Sequence, residues 1–304
     1  MNFELVADDL QFPEGPIAMA DGSLLCVEIQ RRTLTRISPN GSRETIAELG
    51  GGPNGAAIGP DGAVYICNNG GMLFFKRSDG TTGVRGVPED YTTGSIQRVD
   101  LKSGKVETLY TECDGVRLNG PNDLVFDAHG GFWFSDHGKH WKLQSDRGAL
   151  YYALADGSKI VCSKRPLIGP NGVGLSPDGG TVWVAETYTS RVWGFEIESP
   201  GVIRSRADPW VQGQILGPLP GYQLLDSLAV DADGRVCVAT IVNGGITVFD
   251  PGGTWQHYAT PDRVPTNVCF GGDDMRDAWV TGSGLGQIYK ARWPRPGLRL
   301  NYNA

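Results

Sequence analysis

Short continuous apolar runs recur along this chain between polar stretches rich in glycine, proline, asparagine and aspartate. Leu24-Leu25-Cys26-Val27, Val64-Tyr65-Ile66-Cys67, Phe132-Trp133-Phe134, Val182-Trp183-Val184 and Val236-Cys237-Val238 are typical of the runs. Apolar runs this short, bounded by turn residues, predict buried strands. No stretch carries the 3.6-residue period of an amphipathic helix over three turns, so the chain reads as all-β.

The runs repeat as a unit. Six segments share a Gly/Pro-rich start, one polar residue, a few small or apolar residues, a tight turn and an apolar strand. They run from Phe12 to Glu28, Gly52 to Asn68, Gly120 to Asp136, Gly169 to Glu186, Leu224 to Thr240 and Val264 to Gly282. The turns are Asp21-Gly22, Asp61-Gly62, His129-Gly130, Asp178-Gly179, Asp233-Gly234 and the reversed Gly272-Asp273. Asp-Gly between alternating strands signals a hairpin, and the type expected is I′, which needs φ > 0 at both central residues. Five units add a second hairpin, around Asn40-Gly41, Ser103-Gly104, Asp156-Gly157, Pro200-Gly201 and Pro251-Gly252. Each unit therefore predicts four short antiparallel strands. The polar anchors Glu14, Asn54, Asn122, Asn171, Asp226 and Thr266 recur at intervals of 40, 68, 49, 55 and 40 residues, the length of a propeller blade with variable loops.

The sixth unit is one strand short, because Gln287 to Trp293 leads into a proline-rich tail. Phe3 to Asp8, ahead of the first unit, has nothing else to pair with. Giving it to the last blade closes the ring and removes an open edge. The prediction is a six-bladed β-propeller of four-stranded antiparallel blades, one domain over residues 1–304.

Composition narrows the classes. Glycine, at 44 of 304 residues, is about twice its usual ~7% share, which fits a chain that turns often. The net charge of −7, with no run of Lys or Arg, gives no footprint for nucleic acid or anionic lipid. No apolar window is long enough to span a membrane. Met1 to Asp9 lacks the pattern of a secretory signal, the six cysteines show no CxxC spacing, and Cys26, Cys67 and Cys237, inside apolar runs, read as buried thiols in a reducing compartment. Together these predict a cytoplasmic protein, monomeric or weakly dimeric, acting on a small molecule.

The chemistry is expected where the inner strands meet. All six anchors carry a side-chain oxygen and should converge at one mouth of the central channel. Two carboxylates with amide carbonyls form a hard-oxygen set suited to one divalent ion, Ca2+ first, with Mg2+, Mn2+, Zn2+ and Fe2+ as alternatives. Polar lining of a wet channel is the competing account of the same anchors. Four scattered histidines give a His-type zinc site little support, GxSxG is absent, and Gly50, Gly52 and Gly55 lack the following helix that phosphate cradling needs. Two insertions, Asn69 to Ser95 and Asp136 to Gly148, are placed to cover the pocket. They bring Arg85, Tyr91, His137, His140 and Trp141. Asn54, Arg117, Asn119, His137 and Thr266 are the candidate substrate contacts.

Phe12-Pro13-Glu14-Gly15-Pro16, Leu118-Asn119-Gly120-Pro121-Asn122-Asp123-Leu124, Gly169 to Gly179 and Leu225 to Asp231 together resemble the senescence marker protein / gluconolactonase / luciferin-regenerating enzyme family, over about Phe3 to Trp293. The resemblance implies a six-bladed propeller with one central divalent metal, usually Ca2+, and lactone hydrolysis, mostly of sugar lactones. It implies ligation by Glu14, Asn122, Asn171 and Asp226, leaving Asn54 and Thr266 as pocket lining. Asp136-His137 stands where many family gluconolactonases have Asp-Pro. Asp226 is the first candidate for general base and Glu14 the second. A phosphotriester or fluorophosphate hydrolase with Asp226 as nucleophile, and a non-catalytic binding propeller, are the alternatives.

Overall fold

The computed structural model describes residues 1–208 and 210–303, and among them every regular element is a strand. Six inner strands (Pro13–Ala18, Pro53–Ile58, Pro121–Phe126, Pro170–Leu175, Leu224–Val230 and Pro265–Gly271) each start an antiparallel sheet that runs outward. Each inner strand contacts the next in cyclic order, and the last contacts the first, so the ring is closed. The strand Glu4–Ala7 pairs with Gln287–Arg292 and supplies the missing outer strand of the sixth blade. This is the six-bladed propeller, with the closure, expected from the repeat.

The apolar face of each blade is buried against its neighbour. Six hydrophobic clusters fill six interfaces; one packs Tyr65, Cys67 and Ile96 of blade two against Phe126, Phe132 and Phe134 of blade three. The others join blades four and five, three and four, five and six, one and two, and six and one. Cys26, Cys67, Cys113 and Cys237 are buried in this material and none of the six cysteines is bonded to another.

The turns differ from expectation. In Met19–Ser23 the Gly22 amide donates to the Met19 carbonyl and the Met19 amide to the Ser23 carbonyl, with only Gly22 at positive φ (79°). Its Asp21 carboxylate accepts the Ser23 amide instead of adopting a left-handed conformation. At Gly179 the turn is one residue longer, the Ser176 amide donating to the Thr181 carbonyl, whereas Gly62 and Gly234 repeat the Gly22 pattern. These are three-residue loops, a type I turn closed by a left-handed glycine, and not type I′ turns. Aspartate is selected here as an acceptor for the turn's own amides.

Two features shape the channel. The carboxy-terminal tail crosses the end opposite the anchors: Leu298 donates its amide to Val230, Asn301 reaches the Phe126 carbonyl, and Tyr302 packs edge-on against Phe126. Leu298, Leu300 and Tyr302 thereby line the far end together with residues from all six inner strands. At the other end, all six inner ladders slip register at the anchor. A bulge re-aims a side chain locally.

Close approach at that level needs glycine. A Cβ on Gly172 would lie 2.3 Å from the backbone nitrogen of Leu228 in the next blade. Gly172→Ala is therefore expected to cost at least about 2 kcal/mol, since rigid backbone and not a flexible side chain must move. Gly180→Ala, whose Cβ meets nothing closer than 3.4 Å, should stay within about 0.5 kcal/mol of the wild type. Equilibrium denaturation of both variants measures this; equal midpoints would contradict the packing argument.

Candidate metal centre and its pocket

The second strand of a blade prepares the anchor's setting. Four of these strands end in an acceptor side chain that ties down the segment leading into an inner strand. The Glu28 carboxylate accepts the Gln11 amide, Asn68 Oδ1 the Gly52 amide and Glu186 the Ile168 amide, each at 2.7 Å. Asp136 takes two such amides, of Asn119 and Gly120, also at 2.7 Å, and a third from Gly138. Each bond satisfies a backbone donor that the bend leaves without a ladder partner. Bonds to a carboxylate are the stronger kind, about 1.5–3 kcal/mol.

The anchors so presented converge. Glu14, Asn54, Asn122, Asn171 and Asp226 line one cavity of about 300 Å3 at the channel mouth. Glu14 is 2% exposed, and its Oε2 accepts the Gly15 amide at 2.9 Å and Asn267 Nδ2 at 3.0 Å. Asp226 takes a hydrogen bond from Asn171, whose amide also donates to Thr187 Oγ1 at 3.3 Å and accepts from Ser227 at Oδ1. Burial pushes both carboxyls up from the usual carboxylate range, and the Glu14 charge pushes Asp226 further. One layer down, burial and the Glu14 charge push Asp123 up to about 7. No basic side chain of the described residues forms an ion pair with any of the three.

Like charges buried together without a cation are costly. Asn122 Oδ1 adds a second unmet demand, being a buried acceptor with no hydrogen-bond partner. Two carboxylates and an orphaned amide oxygen form a donor set that fits a hard divalent cation. Among the described residues no three His, Cys, Asp or Glu gather, so amides must complete any such set.

The remaining candidates separate. His137 lines the cavity, its ring 5.5 Å from both His140 and Tyr188. Burial and the neighbouring His140 push its pKa down to about 4, so it is neutral near pH 7. Thr266 is not at the cavity surface; its hydroxyl is engaged with Thr281 at 2.9 Å and with Ser283, and helps to hold Glu14. Arg117 is exposed on a small outer hairpin, opposite Glu112. Asn119 meets the site through its backbone, giving its amide to Asp136 and accepting the Tyr91 hydroxyl at its carbonyl. Neither Arg117 nor Asn119 lines the cavity.

Both insertions cover the mouth. The blade-two segment forms a hairpin, Leu73–Lys76 with Thr82–Arg85, which lies over blades one and six. Phe74 packs on Phe12 at 5.4 Å, and the Thr82 amide donates to the Gly284 carbonyl at 2.7 Å. Lys139 of the blade-three loop bonds the Gly71 carbonyl at 2.7 Å and ties the two insertions together. Asn69, Met72, Arg77, Lys139, Thr187 and Tyr188 line the cavity without having stood out in the sequence. Their only common signal is position, just beyond the end of a second strand or within an insertion.

Comparison with known proteins places this geometry. The family profile described as the SMP-30/Gluconolactonase/LRE-like region matches residues 12–284. A gluconolactonase of Zymomonas mobilis is 25% identical over 299 residues, covering 88% of this chain and 75% of that protein. Lactonase drp35 of Staphylococcus haemolyticus is 30% identical over 162 residues, 53% of this chain and 47% of its own length. Diisopropyl-fluorophosphatase of Loligo vulgaris is 27% identical over 208 residues, 64% of this chain and 63% of its length. The chain thus spans three quarters of the gluconolactonase, about half of this lactonase drp35 and under two thirds of the fluorophosphatase. Among solved structures, a Xanthomonas campestris gluconolactonase superposes with a TM-score of 0.74 at 22% identity, over 96% of this chain and 89% of that one. A calcium-binding regucalcin of Agrobacterium tumefaciens superposes with a TM-score of 0.71 at 18% identity, over 96% and 95%. With the profile covering most of its length, the chain belongs to the SMP-30/gluconolactonase/LRE-like family.

Proposed function

We propose that this protein is a divalent-metal-dependent lactonase that opens the ester ring of a small lactone, a sugar lactone by preference. The observation that carries the reading is the carboxylate pair of buried Glu14 and partly covered Asp226, without an ion-pair partner among the described residues, beside the orphaned Asn122 oxygen, in the cavity of a chain whose relatives include a gluconolactonase. Glu14, Asn122, Asn171 and Asp226 would hold the cation, with Ca2+ the first candidate. A divalent cation bound there supplies electrostatic polarisation of the lactone carbonyl and stabilises the negative charge that develops on its oxygen.

The chain's own residues do the rest. Asp226 is only partly covered and faces the cavity, so it takes the proton of the attacking water. The water oxygen bonds to the carbonyl carbon, the carbon–ring oxygen bond breaks, and the ring oxygen leaves as a hydroxyl by taking up the proton that Asp226 accepted. Glu14 is held from below by Asn267 and Gly15, which suits it to fixed charge more than to proton transfer. Neutral His137 and His140 offer ring nitrogens to hydroxyls of the substrate; Ser145 Oγ, 2.7 Å from Nδ1, orients His140. The insertions exclude bulk water from this step.

Asp226→Asn and Glu14→Gln should each lower kcat/KM for aldonolactone hydrolysis at least about a thousandfold, while the far-ultraviolet spectrum keeps its β signature. Activity within tenfold of the wild type in Asp226→Asn would overturn the assignment.

The likeness to the diisopropyl-fluorophosphatase of Loligo vulgaris favours one second reading, nucleophilic attack by Asp226 itself on the electrophilic centre, phosphorus in a fluorophosphate or the carbonyl carbon in a lactone. A single turnover of lactone in water labelled with heavy oxygen separates the two routes. Water attack puts the label in the product carboxylate at the first turnover. Nucleophilic attack by Asp226 leaves the first product unlabelled and puts the label in the protein.

A further inference from the structure

The wall of the cavity formed by the two insertions differs chemically from its floor. Arg77, Arg85 and Lys139 line it, and the only acids among the cavity's residues are Glu14 and Asp226. None of the three cations takes part in an ion pair among the described residues. Three positive charges thus gather at one mouth of a chain whose net charge is −7.

Lys139 is the costly member, being 5% exposed. Its ammonium bonds the Gly71 carbonyl, lies 3.5 Å from Asn69 Oδ1 and sits 4.7 Å from the centre of the Tyr91 ring. Asp136 and Asp146 act on it from a distance but are occupied by backbone amides. Asp262, which feels the Arg77 charge, is likewise engaged by the Val264 and Leu285 amides.

Asn69 supplies the independent sign of a ligand. It is 2% exposed and lines the same wall. Its Oδ1 accepts the Gly71 amide at 2.8 Å and faces Lys139 Nζ, which fixes the amide's orientation. Its Nδ2 is left as a buried donor with no partner. A buried donor without an acceptor is a cost that a bound oxygen removes. On the hairpin, Phe75 stands across from Gly83, between Arg77 and Arg85, and both guanidinium carbons lie 5.5 Å from its ring centre. A Cβ on Gly83 would fall 2.7 Å from Phe75 and 2.9 Å from Arg77, so the glycine makes room for this arrangement.

We infer that Asn69, Lys139, Arg77 and Arg85 form a subsite for an anionic substituent, a carboxylate or a phosphate, carried by the lactone at a position remote from the ring ester. The inference rests on the lactonase reading above and narrows it to acidic lactones. Guanidinium and ammonium donors match the planar carboxylate and the tetrahedral phosphate alike. Neutral aldonolactones then lack the group that the wall is built to hold, and selectivity against them follows from the donors they leave unpaired.

The test compares three lactones of one ring size: neutral, carboxylate-bearing and phosphate-bearing. The proposal expects at least one acidic lactone to exceed the neutral one about tenfold or more in kcat/KM, mainly through KM, with an advantage that shrinks as salt rises. Which acid is favoured identifies the substituent. Arg77→Gln/Arg85→Gln should lower that selectivity ratio roughly tenfold, and the near-isosteric Asn69→Asp, which replaces the free donor by a charge, at least as far. Equal kcat/KM for all three lactones, or a ratio untouched by both variants, overturns the subsite. If no lactone turns over, the lactonase reading fails by itself. Calorimetry with the ring-opened dicarboxylate or phosphorylated acid then decides the subsite: saturable binding weakened in Asn69→Asp upholds it, and no binding overturns it.

Discussion

Glu14 and Asp226 are carboxylates of like charge held in one buried cavity with no basic side chain paired to either. Nothing in a propeller's own stability calls for that arrangement. Six interfaces packed with aliphatic and aromatic side chains hold the ring together without it. The anchors therefore constitute a local cost carried by the rest of the fold, and on the proposed reading a divalent cation would turn that cost into affinity.

The ring meets this constraint by repeating one local solution with different residues. Every inner strand slips register at its anchor, so a side chain that would follow the strand's alternation is turned toward the mouth. After three of the anchors comes glycine (Gly15, Gly55 and Gly172), where a Cβ would strike the backbone of the adjacent blade. Second strands ending in Glu28, Asn68, Asp136 and Glu186 hold the neighbouring backbone in place. The tail crosses the opposite end, and the insertions lie over the mouth at the anchors.

Legibility in the sequence follows the same division. Blade number, strand order, ring closure and the convergence of five anchors on one cavity could be read, because a repeat fixes equivalent positions whatever the loops do. Thr266 occupies an equivalent position, yet hydroxyls of Thr281 and Ser283 engage it below the surface, a contact between strands that spacing does not reveal. The turn type was missed because Asp-Gly serves two loop geometries, and the aspartate's role as an acceptor distinguishes them only in three dimensions. Asn69 and Lys139 were illegible for a different reason. They lie in unrelated insertions, 70 residues apart, and acquire meaning only where the two segments cross. Arg117 and Asn119 were drawn in by nearness to Asn122 along the chain, but Arg117 stands exposed on a small outer hairpin and Asn119 meets the clamp through its backbone.

The central claim is that the four oxygen-bearing anchors form a cation site. Calorimetric titration of the chelator-treated protein with Ca2+ tests it most directly, without any substrate. The account predicts one site per chain in the wild type, abolished in Asp226→Asn and weakened in Asn122→Ala. Undetectable binding of Ca2+, Mg2+, Mn2+, Zn2+ and Fe2+ by the wild type, or Ca2+ binding unchanged in Asp226→Asn, would contradict it.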